Sequence, residues 1–135
     1  MTDTASLIET LEYAHAGSRG LDVRIAACVK LDRKDIHGRR FVDVFERFGW
    51  EQMAKEADSW CIPHFSTSFD AAETLFPERW VLARLRRGPQ HREYQIKLSL
   101  PVPESTSPKE GRQSAGRHAK LPLALCIASL RATIA

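Results

Sequence analysis

Cysteine is scarce in this chain, three residues in 135, and an odd number cannot all pair, so a disulfide scaffold is not what holds it together. Cys28 and Cys126 sit among apolar neighbours and read as small buried hydrophobes in a reducing compartment. Long apolar runs are missing too: none approaches the roughly 18–20 residues that a spanning helix needs, which argues against a membrane role. The opening Met1-Thr2-Asp3-Thr4 has neither the basic nor the apolar segment of a secretion signal, and a cytoplasmic protein is expected. Catalytic signatures are equally sparse. No Walker loop, dinucleotide fingerprint, Gly-x-Ser-x-Gly elbow or His-Glu-x-x-His occurs, and no internal repeat is visible.

What is present is the composition of one globular domain over residues 1–135, with 43% hydrophobic and 27% charged residues. The formal charge is only +3, yet it is unevenly spread. Residues 1–60 hold 9 Lys/Arg against 11 Asp/Glu, whereas residues 61–135 hold 11 against 6, so the second half points to an anionic partner.

Apolar periodicity predicts the elements. Ser6-Leu7-Ile8-Glu9 has capping-box spacing, and Leu7, Leu11 and Ala14 recur on one helical stripe, predicting a helix over about 6–16 with Gly17 as its stop. Leu21, Ile25, Cys28 and Val29 form a second stripe after Ser18, with Asp22, Arg24 and Lys30 on the other side. The polar stretch 32–40 reads as a loop. Phe41, Phe45 and Phe48, then Met53, Ala57 and Trp60, predict two helical pieces broken at Gly49, an inserted helical segment at about 40–60 that ends before Pro63. Ser66-Thr67-Ser68 supplies N-cap oxygens to a helix that carries Asp70 in its first turn and stops at Pro77.

Glu93 to Leu100 alternates strictly: Tyr94, Ile96, Leu98 and Leu100 face one way, Gln95, Lys97 and Ser99 the other. Together with Trp80–Arg87 it predicts an antiparallel hairpin across residues 88–92. Residues 101–118, rich in Pro, Gly and Ser/Thr, predict a flexible surface loop. A final helix places Leu123, Cys126, Ile127, Leu130 and Ile134 on one side, a face that has to dock on the sheet. The expected class is α+β: terminal helices packed on a small antiparallel sheet, with the helical insertion beside them.

Two blocks carry a family resemblance: Pro63-His64-Phe65-Ser66-Thr67-Ser68-Phe69-Asp70-Ala71-Ala72-Glu73-Thr74-Leu75-Phe76-Pro77-Glu78-Arg79-Trp80, and Ala124-Leu125-Cys126-Ile127-Ala128-Ser129-Leu130-Arg131-Ala132. Covering roughly a fifth of the chain, they resemble small phage and prophage proteins of alphaproteobacteria related to the phage ABA sandwich domain, a family without an assigned activity. The resemblance implies a fold, a phage origin and, with it, the host-cell cytoplasm; residues 32–60 depart from the pattern as an insertion. It implies no chemistry, because fold does not fix function.

For chemistry the residues offer little. Cys61-x-x-His64 is half a metal knuckle without a second pair, so no metal is expected there. The same two residues fail to make a persuasive thiolate and base, and the five histidines are scattered singly, mostly in polar stretches, as solvated side chains. Asp70 reads as a cap; Asp32/Asp35 and Asp43/Glu46 read as surface charge. No catalytic residue and no cofactor is expected.

The sharpest local feature is the basic tract Arg84, Arg86, Arg87, Arg92 and Lys97, which Arg39, Arg40 and the stretch from Arg117 to Lys120 could extend. Such a hairpin end can track phosphates or an acidic protein surface, and it can equally be a charged strand that discourages edge-to-edge aggregation. Aromatic side chains for base stacking are not interleaved with the arginines. Phe41, Phe45, Phe48, Trp50 and Trp60 form a second candidate surface, though at helical spacing such residues usually belong to a core. The expected function is that of a non-enzymatic phage or prophage accessory protein that binds a host or phage macromolecule, one version being an anti-CRISPR type of inhibitor of host defence. A protein partner ranks first and nucleic acid, bound through the basic hairpin, is the alternative; no membrane is involved, and self-association stays open.

Overall fold

The computed structural model describes residues 3–87, 93–100 and 112–134. Helix α1 spans Thr4–Tyr13 and is capped by Asp3, whose carboxylate accepts from the Ala5 N–H at 3.3 Å and from the Ser6 hydroxyl at 3.1 Å. The expected cap, Ser6, is therefore inside the first turn: an aspartate three residues earlier brings both an acceptor and a negative charge to the helix start. Helix α2, Arg19–Cys28, begins at Ser18, whose Oγ accepts from the Leu21 N–H, and turns away after Val29 through Lys30 in the left-handed region.

Residues 30–40 fold back on themselves through a bridge between Lys34 and Arg40. Phe41–Phe48 forms α3 and Trp50–Lys55 forms α4; between them Gly49 has φ +83°, a conformation that few other residues adopt, so the continuous periodicity splits there as expected. Phe41 is fully buried and meets the Trp60 ring edge-on at 5.7 Å between centroids. Helix α5 is short, Phe69–Glu73, and the side-chain cap belongs to Ser68, whose Oγ accepts from the Ala71 N–H. Asp70 contributes only its charge to that first turn.

The sheet has three antiparallel strands in the order β1-β2-β3: β1 Val81–Arg87, β2 Tyr94–Leu100 and β3 Arg112–His118. The hairpin expected of Trp80–Arg87 and Glu93–Leu100 is there, and its turn at 88–92 lies outside the described residues. The third strand overturns part of the flexible loop expected at 101–118; the remainder, 101–111, lies outside the described residues. Ser114, Ala115 and Gly116 look like linker composition, but Ser114 and Gly116 are small because a helix lies on them. Ser114 Oγ donates to the Ala128 carbonyl at 2.7 Å, and a Cβ on Gly116 would stand 2.3 Å from the Ala124 oxygen.

That helix is α6, Leu121–Ile134, and the α+β architecture with a C-terminal helix packed on an antiparallel sheet is what the structure shows. Helix α6 lies across β3 and β2 on one side and meets α1 and α5 on the other. Every residue from Leu123 to Leu130 is buried, so the helix is apolar all round rather than along one stripe, and Ile134, expected on that stripe, is exposed at its end. Helix α1 packs behind α6 and reaches the sheet through its C-terminal end, where His118 bonds to the Ala14 carbonyl.

Candidate partner-binding surface

The register of the sheet sorts the basic tract by face. Leu82, Leu98 and Ser114 form one cross-strand row and Leu85, Ile96 and Gly116 another, and both rows point to the side that α6 occupies. The alternate rows, Arg84–Lys97–Ala115 and Arg86–Gln95–Arg117, therefore face away from α6. Three of the expected residues, Arg84, Arg86 and Lys97, meet on this outer face, and Arg117 joins them from β3. Along a strand, alternate residues are about 7 Å apart, and strands two apart are about 10 Å apart, so these four cations share one small patch. Its carboxylate, among the described residues, is Glu93, which stands 3.5 Å from Arg117.

Arg84 and Lys97 are directly opposite one another, an arrangement that costs stability because like charges face across the ladder. An anion seated between them would offset that cost. The face carries no aromatic ring among the described residues: Tyr94 belongs to the opposite side, where the Arg87 guanidinium lies 5.4 Å from its ring centre. Arg87 is thus separated from the cluster by strand alternation, and Arg92 lies outside the described residues.

Arg39 and Arg40 belong to another part of the surface. Arg39 pairs with Asp35 at 2.6 Å and borders a groove with Phe48 and Trp60, while Arg40 is exposed just before α3. Partial desolvation works to raise the Asp35 carboxyl, but the Arg39 N–H and guanidinium and the His37 N–H outweigh it, so it sits below its ordinary value. Of the aromatic set, Phe41 is a core residue, as helical spacing suggests, while Trp60, expected on the second helical piece, is buried from the turn that follows the end of α4 at Lys55. Phe48 and Trp50 are exposed, with Trp50 lying against Gly20 and under the Arg24 guanidinium at 5.3 Å.

Cys61 and His64 are both exposed, and Cys61 occupies a positive-φ position in the turn after α4. Among the described residues, no three His, Cys, Asp or Glu side chains gather as a metal site. Not every histidine is solvated. His118 is buried, accepting from the Lys120 N–H at Nδ1 and donating through Nε2 to the Ala14 carbonyl, because the end of β3 turns beneath the end of α1.

Asp22, expected on a polar helix face, is fully buried. It accepts from the Ser66 N–H at 2.8 Å, from Ser66 Oγ at 2.6 Å and from Arg19 at 2.9 Å, while Arg19 also holds Asp58 and the Ile62 carbonyl. The signal was in the spacing: Asp22 lies one turn before Ile25 and Ala26, on the stripe that is buried. This group ties α2 to the 62–66 turn, with both Asp22 and Ser66 buried. Burial, and secondly the charge of Asp22, hold the Cys126 thiol far above the usual thiol range. No family model, no curated protein and no solved structure matches this chain, so the resemblance to phage proteins rests on the two sequence blocks.

Proposed function

We propose that this is a non-enzymatic binding protein that holds an acidic protein partner on the outer face of its sheet. The observation that carries the reading is the opposed pair Arg84–Lys97, flanked by Arg86 and Arg117: a cluster that weakens the sheet by itself and gains from a bound carboxylate. The two blocks that resemble phage proteins extend the proposal to a phage or prophage accessory role, for which blocking a host defence system is the specific form. Nucleic acid is the second reading, because the same cations suit phosphates; the lack of an aromatic ring on that face among the described residues favours a protein.

The test is a fluorescence-anisotropy titration of labelled poly-glutamate and of labelled DNA and RNA across a salt series. Poly-glutamate should bind, weaken as salt rises, and be lost by the R84S/R86S/K97S variant. Binding of nucleic acid alone would put the second reading first. No binding of either at low salt would overturn the proposal.

A further inference from the structure

Strand β1 lies at the edge of the sheet. It pairs with β2, and among the described residues no strand pairs with its other side, so alternate backbone N–H and C=O groups along it face away from the ladder. Its α6-side face is also partly open, because α6 lies across β3 and β2: Leu82 and Leu85 are 39% and 45% exposed, whereas Ile96 and Leu98 on the next strand are buried. A register irregularity between Leu82 and Arg84 leaves Arg84–Arg87 as the regular part of this edge.

We infer that this edge takes a short extended segment of the partner protein as a fourth strand, and that the segment reads acidic–apolar–acidic opposite Arg84, Leu85 and Arg86. The inference rests on the binding function proposed above and names how the acidic partner is held. Alternation dictates the pattern: carboxylates join the outer cationic face while the apolar residue between them covers Leu85 on the other side. A second copy of β1 does not fit. Antiparallel self-pairing centred on Leu85 sets Arg84 against Arg86 twice, and centring on Arg84 sets that residue against itself. A nucleic-acid strand would leave Leu82 and Leu85 bare and the edge amides without ladder partners. The arginines thus select which strand may join the edge: they repel like sequences and attract acidic ones.

Labelled peptides test this with the full chain. One has alternating Glu and Val, one has the same residues in two blocks, and one is the alternating peptide N-methylated at every second backbone nitrogen. The alternating peptide should bind and slow hydrogen exchange at amides within Arg84–Arg87, while the blocked and N-methylated peptides should bind roughly tenfold more weakly or worse. The R84E/R86E variant, checked for folding by its thermal midpoint, should lose the Glu peptide and gain an Arg-Val-Arg peptide. Equal binding of all three Glu peptides would overturn strand addition while leaving the cationic face as a binding surface. Failure of the unmodified chain to bind any acidic ligand, poly-glutamate included, would overturn both.

Discussion

Gly116 of β3 approaches the Ala124 carbonyl of α6 so closely that a Cβ would lie 2.3 Å from the oxygen and 2.6 Å from the Ala128 nitrogen. Both neighbours are backbone atoms of a helix buried on all sides, so neither can move aside alone. Gly116→Ala should therefore destabilise the protein by about 1–3 kcal/mol or more through overpacking. Denaturant unfolding checks it, with Ala115→Ser on the exposed side of the same strand as a control expected to stay within about 0.5 kcal/mol. An unchanged midpoint for Gly116→Ala would show that strand and helix are not in backbone contact.

Asp22 and Ser66 should behave as one unit. Removing the carboxylate in Asp22→Ala leaves the Ser66 N–H without its acceptor, leaves the Ser66 hydroxyl only the Ser18 carbonyl at 3.0 Å, and strips Arg19 of its buried partner, a loss of the order of 3 kcal/mol. Ser66→Ala should cost about 1–3 kcal/mol, and the double variant should cost less than the two singles together. Additive losses in that cycle would contradict the geometry.

Asp35 makes the 33–41 turn sensitive to acid. Because its carboxyl is held below its ordinary value in the folded turn, the ionised form is favoured by folding. Its stabilising contribution is complete above the free-chain value of about 3.9 and is lost as pH falls through the lowered folded value. The His37 and Arg39 amide resonances, whose N–H groups donate to Asp35 Oδ1, should shift together over that range, and Asp35→Asn should remove the step. Amides that shift near neutral pH instead would argue against this carboxylate as their acceptor.

The three thiols should react in order of access. Cys61 is exposed and should be labelled rapidly, Cys28 is half-buried with its sulfur 2.9 Å from Thr4 Oγ1, and Cys126 is buried and donates to the Phe65 carbonyl at 3.1 Å. Cys61→Ser should abolish the fast phase, and Cys126 should react only on unfolding. Since Cys126 is held protonated in the folded state, its contribution to stability is complete below the free thiol value of about 8.5 and declines as pH rises beyond it. Fast labelling of Cys126 at neutral pH would contradict its burial.

Local signals decided much of this protein. The break at Gly49, the Ser68 cap and the alternation in β2 depend on neighbouring residues alone, and they were legible in the sequence; the Ser18 cap is as local but was not read there. So was the basic tract. Its division into two faces followed only once the strand register was fixed, with Arg87 on one side and Arg84, Arg86 and Lys97 on the other, joined by Arg117.

Strand β3, the burial of Asp22 and His118, and the all-round burial of α6 belong to the tertiary structure. Small residues such as Ser114 and Gly116 carry the same composition whether they are loose in solvent or pressed beneath a helix; only the docking of α6 distinguishes the two. A buried carboxylate or imidazole likewise depends on donors and acceptors distant in sequence, Ser66 for Asp22 and Ala14 for His118, which no local pattern can bring together.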